Sequence, residues 1–397
     1  MTPHGVPPDD RSARKLAFLL SGGGARAAYQ TGVLCHIGER LPSLRVPLLT
    51  GVSAGAINLG FLASYRGPFE SATRALRRRW LSLTTEEVFQ ANPTSLLRNL
   101  ARVGSALVGG GSRLAPDIRS LMDTAPLRAF LERSIAPGAI GARLEDGELE
   151  AVALSAVSYQ TGRTVIFVQG DAPIRTEPAS VHHRIVRARL TVDHIMASAA
   201  IPLLFPAVKI GQQYYGDGSF RSAAPLGPAI QLGADSIFAI SARYRRSIPE
   251  ARQPEVIGYP PPARILGLLL NSVFLDTLDW DAAMLRRINH LVDQLPEEAR
   301  REQTFRHVDL FIQRPSKDIG LIASGFEDRL PRGLRLLVRG LGSPATRSAD
   351  LLSYLLFDSA YITELIELGE ADAESNWERL APFLREGGHR DRDRAAS

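Results

Sequence analysis

Apolar runs and glycine-rich turns alternate near the start of the chain. Leu16–Leu20 is continuously apolar and is followed by Gly22–Gly24 and a helical pattern over about Ala25–Arg40. Such continuous apolar runs are typical of central parallel strands that are covered on both faces. A second strand over Arg45–Thr50, a GVSAG turn and a helix over Ala54–Tyr65 follow. Two strand, turn and helix units so close together predict an α/β fold.

The pattern changes in the middle of the chain. Residues 67–147 carry arginine and leucine at helical spacing and are interrupted by Gly109–Gly111, so we expect a helical insertion with a mobile glycine loop, a candidate lid. Thr191 is expected to cap a short helix that ends at Ser198, and a hairpin is expected over 208–219. The other predicted elements are helices over Ser71–Leu83, Thr94–Leu107, Thr124–Ser134, Leu226–Leu232, Ala263–Leu278, Asp281–Leu295 and Asp350–Leu368, two strands within 150–170, and strands over Ser236–Ser241 and His307–Gln313.

These patterns divide the chain into four parts. We expect disorder over 1–14 and 386–397, where the sequence is polar and rich in glycine, proline, arginine and aspartate. A main domain is expected over 15–242 and includes the helical insertion 67–147. A mainly helical part over 243–385 is expected to pack on the same domain. With 397 residues, of which 45% are hydrophobic, the chain can bury a large core.

Cysteine usage and the N-terminal segment indicate the compartment. Cys35 stands alone, so we expect a buried free thiol in a reducing environment. Arg14 and Lys15 are followed by an apolar stretch that is too short for a secretory signal, which predicts a cytoplasmic protein. The uncharged stretch from Val46 to Tyr65 is diluted by small and polar residues, so we interpret it as a buried strand, turn and helix rather than a membrane span.

The net charge of +5 is modest and is concentrated in arginine clusters. Such clusters are usually solvated faces, and the alternative is attraction to anionic lipid head groups. Aromatic interleaving and nucleic-acid-binding motifs are missing from the sequence, so we expect no nucleic-acid partner. The clusters are Arg77–Arg79, Arg184 with Arg187 and Arg189, and Arg286–Arg287.

Ser53 is the first candidate for chemistry. Gly51, Ser53 and Gly55 match G-x-S-x-G between a predicted strand and a predicted helix, the context in which this motif exposes a nucleophilic serine. Ordinary α/β-hydrolases place this turn later in the chain and follow it with an acid and a histidine, and too little chain precedes Ser53 for that arrangement. The later histidines lie in no distinctive motif, so we interpret them as surface or structural residues: His182, His183, His194, His290 and His307.

Two glycine-containing turns complete the set of candidates. Gly22–Gly24 can direct backbone N–H groups to one point at the start of a helix, where a phosphate or an oxyanion could bind. The same segment formally fits a dinucleotide-binding motif, but Thr50 and the Ser53 turn stand where that motif needs an acid. Asp217 lies in the turn Gly216-Asp217-Gly218 and could be either a simple turn residue or a catalytic acid.

Taken in order and spacing, SGGGARAAYQTGVL, GVSAGA, ASAAIPLLFPAV and GDGS resemble the patatin-like phospholipase family, bacterial type, over about Leu16–Ser241. Residues 351–369 also resemble the C-terminal helix of bacterial members. The resemblance implies a three-layer α/β/α sandwich with a mostly parallel central sheet and helical insertions, and it makes 15–242 the catalytic domain. It implies a Ser53–Asp217 dyad without histidine, flanked by Gly51, Gly55, Gly216 and Gly218. It also implies an oxyanion hole from Gly22, Gly23 and Gly24, with Arg26 steadying this loop or meeting a phosphate.

The function implied by the resemblance is hydrolysis of phospholipids, lysophospholipids or other acyl esters through an acyl-enzyme, with no metal and no cofactor. Two alternatives stay open: an acyltransferase that passes the acyl group to an alcohol or thiol, and a catalytically idle lipid-binding protein. We expect a cytoplasmic protein with peripheral contact to the anionic inner membrane surface. The sequence does not specify an oligomeric state.

Overall fold

The computed structural model describes residues 14–90, 120–136, 138–174, 181–221, 224–252, 262–272, 277–302, 305–331, 335 and 349–386. Within these ranges, nine strands form one mixed sheet. The strands are β1 (Leu16–Leu20), β2 (Leu48–Val52), β3 (Ala151–Ser158), β4 (Thr164–Gly170), β5 (His183–Arg187), β6 (Val208–Ile210), β7 (Gln213–Asp217), β8 (Ser236–Ile240) and β9 (Asp309–Gln313).

The α-helices of the described ranges are α1 (Ala28–Arg40), α2 (Ala54–Ser64), α3 (Phe69–Ser82), α4 (Thr85–Val88), α5 (Ala125–Ser134), α6 (Ala139–Glu145), α7 (Val192–Ser198), α8 (Gly227–Gln231), α9 (Ile248–Ala251), α10 (Pro262–Asn271), α11 (Thr277–Gln294), α12 (Glu297–Glu302), α13 (Ile319–Ser324), α14 (Ala349–Leu355), α15 (Ser359–Ser375) and α16 (Trp377–Glu386). Short 3₁₀ helices span Gly24–Ala27, Gly218–Arg221 and Glu327–Arg329. Among these helices, none combines the length and the hydropathy needed to cross a membrane.

The sheet is mostly parallel. Its order is β5-β4-β3-β2-β1-β8-β9, and β3, β2, β1, β8 and β9 run parallel to one another. β4 is antiparallel to β3, and the β6–β7 hairpin lies off this path with β7 antiparallel to β3. The carboxyl ends of the five parallel strands therefore meet at one edge of the sheet, which we call the carboxyl edge.

Two hydrophobic cores lie on the two faces of the sheet. Phe18 and Leu20 of β1 point into the larger core, which α1, α2, α3 and α15 help to form. Ala17 and Leu19 point to the other face and pack with residues of α8 and α11. Alternate residues of a strand face opposite sides, so a strand covered on both faces must be continuously apolar. The three-layer α/β/α arrangement predicted from the sequence is confirmed.

The predicted elements are largely present, with shifted ends. β1 begins and ends where it was predicted, and β2 begins three residues later than expected, at Leu48. The single helix predicted over Asp350–Leu368 is wrong, because the structure has α14 and α15 there. The break has a local cause: the Asp358 carboxylate accepts the amides of Ala360 at 3.1 Å and Tyr361 at 3.3 Å and so caps a new helix.

Three further outcomes concern the remaining predictions. β5 was missed because its residues are half-buried or exposed and mostly polar, a pattern that is typical of a surface segment. The helix predicted over Ala263–Leu278 ends at Asn271, and α11 begins at Thr277. Cys35 is buried, as expected. The predicted helix over Thr94–Leu107, the Gly109–Gly111 loop and residues 1–13 and 387–397 lie outside the described residues.

Candidate active site

Ser53 occupies a sharp turn between β2 and α2. Its backbone has φ 57° and ψ −132°, a conformation that residues other than glycine rarely adopt. Gly55 is needed two residues later, since a Cβ there would lie 2.2 Å from the Leu20 carbonyl oxygen. The turn is therefore pressed against the end of β1, as a nucleophile elbow requires. Gly51 lies in β2 and pairs with Leu20 of β1 and Leu154 of β3.

The register of β3 brings Asp217 to this elbow. β2 runs along one side of β3 until Val52 pairs with Ser155, and β4 occupies the other side. β7 approaches from the opposite direction, and its last residue, Asp217, pairs with Ala156. Because β4 already fills the second side, β7 must take the side that β2 leaves. The ends of β2 and β7 therefore meet, and Ser53 and Asp217 face each other across that junction.

Ser198, at the end of α7, closes the junction between these strands. Its hydroxyl accepts the Ser53 amide at 3.1 Å and donates to the Ser155 carbonyl at 2.7 Å. Two residues later, the Ala200 carbonyl accepts the Asp217 amide at 2.8 Å. The segment that contains Ser198 is part of the family resemblance, but the sequence alone predicted no role for this serine. A serine placed at the end of a capped helix was the available signal.

Asp217 is fully buried, and burial raises the pKa of its carboxyl to about 7. Hydrogen bonding from Ser53, and from the amide and hydroxyl of Ser219, opposes this increase. The Ser219 amide donates to Oδ1 at 2.9 Å, whereas Oδ2 has no well-aligned partner. The Ser53 contact is therefore close but poorly aligned, as is common in catalytic pairs before substrate binds. Gly216 precedes Asp217 in β7, and Gly218 begins a 3₁₀ helix.

The raised pKa of Asp217 predicts how stability depends on pH. The folded state retains a proton that the unfolded chain, with its ordinary value of 3.8, releases between about pH 4 and 7, so stability should fall as pH rises through that interval. Asp217→Asn cannot ionise and should therefore stabilise the fold at pH 8 by roughly 2–4 kcal/mol. Urea unfolding at pH 8 and pH 4.5 measures this difference. An equal effect at both values would contradict it.

Gly22–Gly24 form the turn after β1. Gly23 has φ 152° and Gly24 has φ 56°, and a Cβ on Gly24 would lie 2.3 Å from the Tyr354 carbonyl oxygen. Within the described residues, the amides of Gly22, Gly23 and Gly24 donate to no protein acceptor. Gly24 lines the same cavity as Ser53. This turn can therefore offer N–H groups to an oxyanion beside the serine.

Arg26 points away from that position. Its Nε donates to Ser353 at 2.7 Å, Nη2 donates to Asp350 at 3.1 Å, and the guanidinium lies 4.4 Å from the centre of the Tyr354 ring. The side chain is 4% exposed. The structure thus favours the first of the two roles expected for Arg26, because it ties the glycine turn to α14 and leaves no open face for a phosphate.

A narrow apolar cavity leads to Ser53. It contains about 700 Å³ of space, including its open mouth, and Arg79 is the one charged residue among its described lining residues. No histidine of the described chain lines it. His194, the nearest in sequence to the junction, instead caps α7 with Thr191. The apolar lining residues are Ala54, Ile57, Phe61, Leu76, Trp80, Leu83, Val88, Leu127, Phe130, Leu131, Ile135, Ala199, Ile201, Phe205 and Phe357.

A buried hydrogen-bond chain connects the cavity wall with the glycine turn. Trp80 Nε1 donates to Asn58 Oδ1 at 2.7 Å, and Asn58 Nδ2 donates to Gln30 Oε1 at 3.0 Å. Gln30 Nε2 then donates to the Ser21 carbonyl at 2.7 Å. These side chains are 5% exposed or less. These hydrogen bonds hold the Ser21 peptide group, which leads into the glycine turn. The sequence alone did not predict them, because the bonded residues are far apart in sequence.

Comparison with known proteins identifies the family of the chain. The family model described as patatin-like phospholipase matches residues 18–230, which is more than half of the chain. Among curated proteins, none matches significantly.

Solved structures that resemble the chain include VipD from Legionella pneumophila, with 13% identity over 95% of this chain and 77% of that one and a TM-score of 0.33. Human GIVD cytosolic phospholipase A2 in complex with methyl γ-linolenyl fluorophosphonate has 13% identity, 94% and 59% coverage and a TM-score of 0.43. ExoU, in its complex with SpcU from Pseudomonas aeruginosa, has 14% identity, 94% and 78% coverage and a TM-score of 0.25. The chain therefore spans under two thirds of the human enzyme's length. At these TM-scores the sequence match over 18–230 carries the comparison.

Proposed function

This chain belongs to the patatin-like phospholipase family, and we propose that it is a lipid acyl hydrolase in which Ser53 and Asp217 act as a catalytic dyad. The observation that carries the proposal is the contact between these two side chains, because Ser53 also lines an apolar cavity beside a glycine turn with available amides. The family supports lipid acyl hydrolysis in general, and the assignment of the two residues is ours.

In the first half of the reaction, Ser53 Oγ attacks the ester carbonyl carbon while Asp217 Oδ2 takes the hydroxyl proton. A carboxyl whose pKa is about 7 is better matched to this transfer than an ordinary aspartate, because it holds the proton more strongly. The amides of Gly22–Gly24 stabilise the oxyanion of the tetrahedral intermediate. Loss of one such donor typically lowers turnover about 10²- to 10³-fold.

In the second half, the intermediate collapses and the alcohol leaves with the proton from Asp217. The acyl group is now an ester of Ser53. Water attacks this ester while Asp217 accepts its proton, and the serine oxygen leaves by taking that proton back. The products are a fatty acid, the alcohol and the unchanged enzyme, so no metal, cofactor or histidine is needed to balance the steps.

The cavity supports an acyl chain as the part of the substrate that binds next to Ser53. Its walls are aliphatic and aromatic, and burying apolar surface contributes about 25 cal/mol per Å². Phospholipids and lysophospholipids combine such a chain with an ester. We also assign the activity to the surface of an anionic membrane, because the chain carries arginine clusters.

A fluorophosphonate probe tests the proposal most directly. The probe should modify Ser53, which peptide mass spectrometry can locate, and fatty acid should be released from phospholipid or lysophospholipid vesicles. Product analysis with an added alcohol or thiol acceptor distinguishes hydrolysis from acyl transfer. A protein that neither reacts with the probe nor releases fatty acid would be an idle lipid-binding member of the family.

Asn58→Ala should lower kcat about tenfold and leave KM nearly unchanged. The change removes the link from Trp80 to Gln30, so the Ser21 carbonyl and the amides that follow it lose their support. Trp80 Nε1, Gln30 Oε1 and the Ala27 carbonyl each lose a hydrogen bond, which should also cost about 1–3 kcal/mol of stability for each group left without a partner. Steady-state kinetics at a temperature where the variant is folded, together with urea unfolding, separate the two effects.

Asn289→Ala is the matched control for this change. The Asn289 side chain likewise joins two segments, through hydrogen bonds with the amide of Val308 at 3.0 Å and its carbonyl at 2.8 Å, but it lies at the opposite edge of the sheet. It should lose stability and keep kcat. Equal kcat values in the two variants, at matched folding, would mean that the chain through Asn58 has no positioning role.

A further inference from the structure

The carboxyl edge of the sheet also bears exposed apolar residues that the catalytic proposal does not use. β1, β8 and β9 end in register at Leu20, Ile240 and Gln313, so the segments after β8 and β9 lie beside the glycine turn. Gly23 directly faces Ala242, since a Cβ on Gly23 would lie 3.2 Å from that side chain. Residues that follow Ala242 and Gln313 therefore lie beside the glycine turn.

Four helices bring apolar side chains to this edge. The side chains of Trp280, Leu269 and Leu321 are 78%, 58% and 69% exposed. α11 buries Leu278, Ala282, Leu285 and Val292 against the sheet, so Trp280 lies on its outer face. We call the exposed apolar side chains at this edge the docking patch: Ile248 of α9, Ile265, Leu268 and Leu269 of α10, Trp280 of α11 and Leu321 of α13.

α10 is joined closely to the catalytic turn. Its Gly267 backs onto Asp350 of α14, and its Asn271 accepts the Tyr354 hydroxyl at 2.9 Å. The Tyr354 carbonyl in turn lies against Gly24. One helix, α14, therefore separates the apolar face of α10 from the amides proposed to hold the oxyanion.

Arginines surround the docking patch. Arg243 donates to Asp279 at 2.7 Å, and Arg314 forms an ion pair with the same carboxylate. Burial lowers the pKa of the Arg314 guanidinium, and Arg243, Arg245 and Arg286 lie near enough to lower it further. The acids on this face are Asp279, Glu250, which bonds Ser247, and Asp318, which pairs with Arg246 at 3.3 Å and caps α13. Arg245 and Arg286 are exposed.

We propose that the docking patch and its arginines bind the surface of an anionic phospholipid bilayer and hold the carboxyl edge, with Ser53 and the glycine turn, against the lipid. The role given to this surface rests on the proposed function, whereas the binding itself is inferred from the exposed apolar residues and arginines. Tryptophan and leucine enter the boundary between head groups and acyl chains, while arginines contact anionic head groups. An interface with another copy of the chain would instead bury apolar residues, and its core would lack this excess of positive charge.

The other arginine clusters differ from this one. Arg77 pairs with Glu370 at 3.4 Å, and Arg187 donates to the Ala172 carbonyl at 2.9 Å on the edge strand β5. Neither cluster lies beside residues of the docking patch. The structure therefore assigns the membrane contact expected from the sequence to the face that carries Arg245, Arg286 and the docking patch.

Vesicle sedimentation tests this inference. The inactive Ser53→Ala protein is mixed with vesicles of phosphatidylcholine alone or with vesicles in which about 30% of the lipid is phosphatidylglycerol. Binding should be strong for the anionic vesicles and should weaken with salt. The variant Leu268→Ser/Leu269→Ser/Trp280→Ser should bind roughly tenfold less, and Arg245→Gln/Arg286→Gln should lose about fivefold for each charge.

Two controls lie at the opposite edge of the sheet. Leu291→Ser removes an apolar side chain that is 62% exposed on the same helix α11, and Arg66→Gln removes an exposed arginine after α2. Both should bind like the parent. Equal binding by patch variants and controls, absence of binding to anionic vesicles, or a dimer that the triple variant converts to a monomer would each overturn the proposal.

Catalysis is measured separately, so that the two proposals fail independently. In the catalytically intact background, the patch variants should keep full hydrolysis of a water-soluble short-chain ester and lose hydrolysis of vesicle lipid in proportion to binding. Loss of both activities would show that the substitutions disturb the site and would count against a docking role. Inactivity of the parent on the soluble ester, with vesicle binding intact, would reject the proposed function alone.

Discussion

Replacing Ser53 with alanine is expected to lower ester hydrolysis by about 10⁴- to 10⁶-fold. The change removes the nucleophile and leaves water as the only attacking group. No acyl-enzyme can then form, although the oxyanion amides and Asp217 remain in place. The fold should tolerate it, because the Ser53 amide, and not its hydroxyl, binds Ser198. Release of fatty acid and labelling by a fluorophosphonate are the two measurements.

Ser64→Ala is the control for Ser53→Ala. Ser64 is the last residue of α2, the helix that follows Ser53; it is buried and donates to the Phe61 carbonyl at 3.1 Å. Its loss should leave hydrolysis and labelling close to those of the parent. If the Ser53 variant kept more than about a hundredth of the parent activity, or still took up the label, another residue would have to be the nucleophile.

Asp217→Asn is expected to lower turnover by about 10⁴-fold, an effect comparable to loss of the orienting acid in serine proteases. The amide keeps the size of the side chain but cannot accept the Ser53 proton. In the parent, kcat/KM should rise with pH up to about 7 and then level off, because the carboxyl must be ionised to act as the base. The residual activity of the variant should lack this rise.

Asp281→Asn provides the control for the Asp217 variant. Burial raises the pKa of Asp281 to about 6, and its carboxylate accepts the Leu226 amide at 2.7 Å. It is thus a second carboxyl with a raised pKa, but it is half-buried and lies beside Leu226 rather than Ser53. The variant should keep the parent's turnover and pH profile. A parent pH profile without a rise below pH 7 would mean that Asp217 is not the base.

The alternation of apolar runs and glycine turns was enough to predict much of the fold. β1, the elbow context around Ser53 and the helix after it follow from local preferences, because a strand covered on both faces and a turn with positive φ each leave a local pattern. The motif order led to Asp217 through the family resemblance. Local spacing alone could not choose between a turn residue and a base.

Tertiary structure decided which of these residues meet. The junction of β2 and β7 depends on strand pairing between distant segments, and the raised pKa of Asp217 depends on its complete burial. Ser198, the chain from Trp80 to Ser21, and the inward use of Arg26 were likewise set by packing between distant elements. A sequence pattern records which face of an element is apolar, whereas the partner of that face is chosen by long-range pairing, and chemistry at this site depends on the partner.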